Sequence, residues 1–106
     1  MDSVVFLISE NLTQDDLGAW VPGTTKRRVF CRVSSIDDTE FHEAGRSGLN
    51  PEVRLTVFHA DYHGERQCRF ESNDYSIYRT KRIPNSDYTD LYLERKGGSN
   101  GQTSDD

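Results

Sequence analysis

With 106 residues, a net charge of −5 and 33% hydrophobic side chains, the chain is long enough for one domain and too short for two. Its acidic balance argues against a protein that grips phosphate backbones through clustered Lys and Arg. No apolar run approaches the length of a membrane-spanning helix, and the low hydrophobic content points to an assembly component that completes its burial against neighbours.

Residues 4–8, VVFLI, read as a first strand. The run is too short for a signal peptide and has no basic region before it, so the expectation is a cytoplasmic origin with reduced thiols. ENLTQDDLGAWVPG, residues 10–23, is rich in turn formers and reads as a loop, with Trp20 anchoring it on the domain, the favoured reading, or on a partner. KRRVFCRVSS is the second strand, with Val29, Cys31 and Val33 on one face and Arg28, Phe30 and Arg32 on the other. Cys31 is therefore expected to be a buried structural thiol, and so is Cys68.

SIDDTEFHEAGRSGLNP breaks the strand pattern. Asp37 or Asp38 is a candidate N-cap, TEFHEA predicts roughly two helical turns, and Gly45 and Gly48 break them. Phe41, Ala44 and Leu49 are too few to form a core, so this insert must lie on something else or move. Loops this long in compact domains are functional or disordered. VRLTVFHA is the third strand, with Val53, Leu55 and Val57 on one face, and RQCRFE the fourth, with Cys68 and Phe70 together. Ser72-Asn73-Asp74 is a turn signal before YSIYRTKRI, the fifth strand, whose Tyr75 and Ile77 point inward. Asn85-Ser86-Asp87 turns into DYTDLYLER, the sixth, with Thr89, Leu91 and Leu93 inward and Tyr88, Asp90, Tyr92 and Glu94 outward. The fold class is all-β: a small antiparallel β-barrel of about six strands, favoured over an open sandwich because closure removes sticky edges. Residues 1–96 form the single domain, and GGSNGQTSDD, residues 97–106, reads as a disordered acidic tail.

Three groups of residues could carry chemistry. In HADYHGE, His59, Asp61, His63 and Glu65 alternate, and imidazole with carboxylate suits zinc or non-haem iron. The same stretch reads as a hairpin turn with Gly64 at positive φ and Asp61 as its cap, which throws the side chains apart. His42 with Glu40 and Glu43 lacks a nucleophile and reads as a solvated helix face. Arg79, Lys81 and Arg82 beside Tyr78 form either a nucleic-acid contact or a protein-contact strip, and the acidic chain favours the second. Tyr88 and Tyr92, aromatic in a polar setting, suit a protein interface.

Four blocks resemble a known family. They are E-F-x-x-A-G-x-x-G-L-x-P-E (residues 40–52), D-Y-x-G-E (61–65), Y-x-I-Y-R-T (75–80) and D-Y-x-x-L-Y-x-E-R (87–95). Residues 28–96 are similar to the head-closure proteins of tailed bacteriophages, also called head–tail joining or stopper proteins. Asn73-Asp74 stands where the family pattern leads one to expect Asn-Gly. The resemblance implies a small β-barrel without enzymatic activity, cofactor or metal, built into the virion neck after assembly in the host cytoplasm. It implies a self-associated ring, roughly twelve-fold like the portal, stacked on the portal–adaptor complex and docking a tail protein, with the free chain either a monomer or already associated. Packaged double-stranded DNA would pass through without sequence-specific binding, and no membrane is involved. By position, residues 36–50 would be the channel-gating loop: Asp38, Glu40, Phe41, His42, Glu43, Gly45, Arg46, Gly48 and Leu49. Asp38, Glu40 and Glu43 would repel phosphate there, and Arg46 would pair with a neighbour's acid or touch DNA. Tyr78, Arg79, Tyr88 and Tyr92 would face a subunit or the tail. The alternatives are a tail-completion or neck protein on the tail side, a small metal-dependent enzyme using His59, Asp61 and His63, and a nucleic-acid-binding barrel.

Overall fold

A computed structural model describes residues 2–95; the expected tail over residues 97–106 lies outside them. Six strands alternate apolar and polar side chains, and each sends two residues inward: Val5 and Leu7, Val29 and Cys31, Leu55 and Val57, Cys68 and Phe70, Tyr75 and Ile77, Leu91 and Leu93. A sheet with one apolar face that curls until its edges meet encloses a core without leaving an open ladder. The result is a closed antiparallel barrel in the order β1-β2-β3-β6-β5-β4. The strands are β1 (Asp2–Gln14), β2 (Trp20–Ser34), β3 (Pro51–Phe58), β4 (Gln67–Phe70), β5 (Asn73–Arg82) and β6 (Tyr88–Arg95), with one helix, α1 (Asp38–Arg46), between β2 and β3. Fold class, strand faces and the place of the insert are those the sequence predicts.

The first two strands differ from expectation. β1 and β2 pair without interruption from Asp2↔Arg32 to Gln14↔Trp20, whereas β1 pairs with β4 only over Phe6–Ile8 and β2 with β3 only over Arg32–Ser34. The stretch read as a loop is thus the outer half of a two-stranded arm, projecting six residue pairs, about 20 Å, beyond the barrel. Asn11, Pro22 and Gly23 looked like turn formers, but a ribbon with outer edges tolerates them better than a central strand does. Only residues 15–19 turn. Trp20 does not anchor the segment on the domain: it stands at the arm's end and is 65% exposed.

β3 and β4 lie opposite each other in the barrel, so the chain between them crosses its end. That crossing is HADYHGE. It opens with a 3₁₀ turn, His59–Asp61, and drops Tyr62 against the core. Gly64 takes φ 87° as expected. Both thiols are buried; burial first, then Cys31 and Asp74, push the Cys68 thiol up to about 12, which leaves it unreactive at neutral pH. The β4–β5 hairpin turns one position earlier than predicted, on Glu71 and Ser72, since Phe70 already pairs with Asn73. Both turn residues take positive φ, 51° and 65°, the geometry of a two-residue turn that matches strand twist.

Candidate functional site

The insert is a helix held at both ends. Asp37 is the N-cap, its carboxylate accepting from the Glu40 N–H at 2.8 Å. At the other end the Leu49 N–H reaches the Ala44 carbonyl and the Gly48 N–H the Gly45 carbonyl, each at 3.0 Å. That paired closure requires a left-handed residue, supplied by Gly48 at φ 81°. Gly45 does not break the helix, which continues through it to Arg46.

The insert lies on the outer face of the barrel, and one buried carboxylate fixes it there. Glu40 is 9% exposed. It accepts from Tyr78 Oη at 2.9 Å and pairs with Arg79 at 2.8 Å. Neighbours on a strand normally face opposite sides. The register slips between Ile77 and Arg79, so Tyr78 is a bulged residue, and the bulge re-aims it toward the helix beside Arg79. The Arg79 guanidinium in turn lies 4.6 Å from the centroid of the Tyr92 ring. Burial, and then the Glu40 carboxylate it serves, hold the Tyr78 phenol well above its ordinary range.

This geometry revises several expectations. Glu40 faces the barrel instead of lining an acidic wall. Tyr92 is 4% exposed and Asp90 9%, so neither points freely outward: Tyr92 lies against Arg79 and Tyr78, and Asp90 accepts from Thr56 Oγ1 at 2.6 Å. Tyr78, Arg79 and Tyr92 form the helix's seat, and of the four expected interface residues Tyr88 is the one left exposed without serving it. Asp38, Phe41, His42, Glu43 and Arg46 do face solvent. Phe41 and His42 meet edge-on, 5.9 Å between centroids. Arg46 pairs with Glu43 of its own helix at 3.3 Å, an exposed contact of little energetic weight. Leu49 is half-buried and helps line a groove between α1 and β5.

The alternating residues of the crossing are dispersed. The His59 ring bonds Thr89 Oγ1 at 2.8 Å, the exposed His63 ring reaches the Ala60 carbonyl at 3.3 Å, and it is the Asp61 carbonyl that accepts from Arg27, at 2.6 Å. Among the described residues no group of three or more His, Cys, Asp or Glu is poised around a common point. The turn is capped by Glu65, not Asp61. One Glu65 oxygen accepts from the His63 N–H at 2.8 Å, and the other holds Arg27 at 2.6 Å. This pair, with Glu65 buried and Arg27 half-buried, stitches the crossing to the base of the arm. Burial opposes charge on Glu65, but hydrogen bonds from Arg27 and from backbone N–H groups, with the Arg27 charge, outweigh it and hold the carboxyl below its ordinary range.

Sequence reasoning found Tyr88 but missed the arm's tip and the other exposed aromatics of the barrel wall, Phe6, Phe30 and Phe58, of which Phe30 and Phe58 share a cleft with Tyr88. The signal for the cleft was present, since Phe30 fell on the polar face of its strand. In comparisons with known proteins, no family model and no curated protein matches the chain.

Proposed function

We propose that the chain is a phage head-closure protein: a virion component that forms a ring below the portal, retains packaged DNA and offers the tail its docking surface. One observation carries the reading. The block with the most specific resemblance, residues 40–52, is a helix and loop inserted between β2 and β3 of a closed barrel, where a stopper would need its gate. The insert suits that task physically. It is short, seated by polar contacts instead of an apolar core, and carries outward acids, Asp38 and Glu43, that repel phosphate. Leaving its seat would uncover the Tyr78 and Tyr92 rings and Ala44 but none of the barrel core, and segments of low local stability are those that switch.

Electron microscopy of particles from the encoding phage, with a stop codon at Trp20, tests the reading. Heads that package but leak, beside complete free tails, are expected. DNA-filled heads that lack only tails would move the protein to the tail side of the neck. Normal virions would overturn the assignment.

A further inference from the structure

The arm ends in an apolar tip that no described residue covers. Leu17 is 93% exposed and Trp20 65%. Both are held outward by a bonded turn. Asp15 Oδ1 accepts from the N–H groups of Leu17 and Ala19, each at 2.9 Å; the Asp15 N–H donates to the Ala19 carbonyl at 2.9 Å; and Gly18 takes the left-handed position at φ 82°. A tip ordered in advance docks with little further loss of freedom. Between residues 10 and 25 the chain carries Glu10, Asp15 and Asp16 and no Lys or Arg, so the tip is acidic as well as apolar.

A hollow of opposite character lies on the barrel wall. The β2–β3 ladder ends at Arg32↔Thr56, and beyond it the seam opens into a cleft of ≈ 290 Å³ lined by Phe30, Arg32, Phe58 and Tyr88. Phe58 and Tyr88 stack with centroids 4.9 Å apart, and Phe30 is 71% exposed. Arg28 lies 5.7 Å from the Phe30 ring centroid, and Arg82 and His59 border an adjoining hollow with Asp87. Exposed aromatics ringed by charge, which a docked partner would bury, match the usual anatomy of a binding hot spot. The arm does not fill its own cleft: Trp20 and Phe30 lie on one strand, about 33 Å apart.

We infer that the acidic, apolar arm tip of one copy docks into the aromatic, arginine-rimmed cleft of a second copy. The two patches differ, so the contact is head-to-tail, and its repetition closes a ring where the rotation allows. This supplies the subunit contact for the ring proposed above and rests on that reading for closure.

Disulfide trapping with the full chain tests it. Ala19→Cys places a thiol at the tip and Asp87→Cys one beside the cleft, and both leave the apolar contact residues in place. The native thiols are buried, so wild type serves as the blank. Mixed at high concentration with oxidised glutathione, the two variants are expected to form a covalent heterodimer at least tenfold faster than Ala19→Cys mixed with His42→Cys. Adding Trp20→Ala to the tip variant, or Phe58→Ala to the cleft variant, is expected to cut the yield about tenfold; both sites are exposed, and circular dichroism checks the fold. Absence of a preferential heterodimer, or one indifferent to Trp20→Ala, overturns the inference, and the tip then serves a different protein. The two readings fail separately. Leaky heads without trapping would sink only the arm–cleft contact, and trapping with normal virions would sink only head closure.

Discussion

Two carboxylates that sequence alone could not tell apart from surface charge each tie one element to another at the residue scale. Glu65 is 6% exposed and ties the barrel-end crossing to the arm through Arg27. Its folded-state pKa lies below the ordinary 4.5. The unfolded chain therefore binds the proton more readily, and the stability Glu65 contributes is complete above that value and lost as pH falls through the folded pKa. Glu65→Gln is expected to cost about 2 kcal/mol at neutral pH. The gap between variant and wild type should narrow as pH falls below 4.5, as read by urea unfolding at about pH 7 and at successively lower pH. A constant gap would assign Glu65 a role other than charge pairing. Glu40 seats the helix. Glu40→Ala leaves the Tyr78 hydroxyl and Arg79 without their acceptor. It is expected to loosen α1 by about 1–2 kcal/mol, seen as faster amide exchange over residues 41–47 while the barrel's exchange stays unchanged. Neither role was legible beforehand. Arg27 and Glu65 are 38 positions apart, as are Glu40 and Tyr78, and only the closed sheet brings each pair together.

The elements show where periodicity informs and where it misleads. Inward and outward faces of β2 to β5 followed from alternation because each strand has one buried face. On β6 Tyr92 and Asp90 lie on the outer wall as alternation predicts, yet both are buried, since α1 and the neighbouring strands cover part of that wall as well. The arm was illegible for the converse reason: with neither face buried, its strands carry no alternation to read. Two changes probe the elements directly. Gly45 lies inside α1, and a Cβ there meets nothing within 4 Å. Gly45→Ala should stiffen the helix by about 1 kcal/mol, slowing amide exchange in α1 about fivefold, and should impair any opening of the insert. The β4–β5 turn places Glu71 and Ser72 at positive φ, which costs each about 1 kcal/mol relative to a permissive residue. Replacing the pair with Asn-Gly should raise the thermal midpoint, by about 1 kcal/mol or more in unfolding free energy. No gain would mean the turn is relaxed by contacts within the hairpin.

At the scale of the whole molecule, the barrel separates two specialised ends. The insert joins β2 to β3 at one end, while the arm and the crossing leave from the other. On the proposed reading, the insert would gate at one end and the arm would grip a neighbour at the other. The central claim is that this molecule retains DNA, and it is tested most directly on DNA-filled heads purified from a phage lacking the protein. Nuclease sensitivity of the packaged DNA is measured with and without the purified full chain. The account predicts that DNA escapes and is digested without the protein, and that adding it back protects the DNA. DNA equally protected in both samples would contradict it.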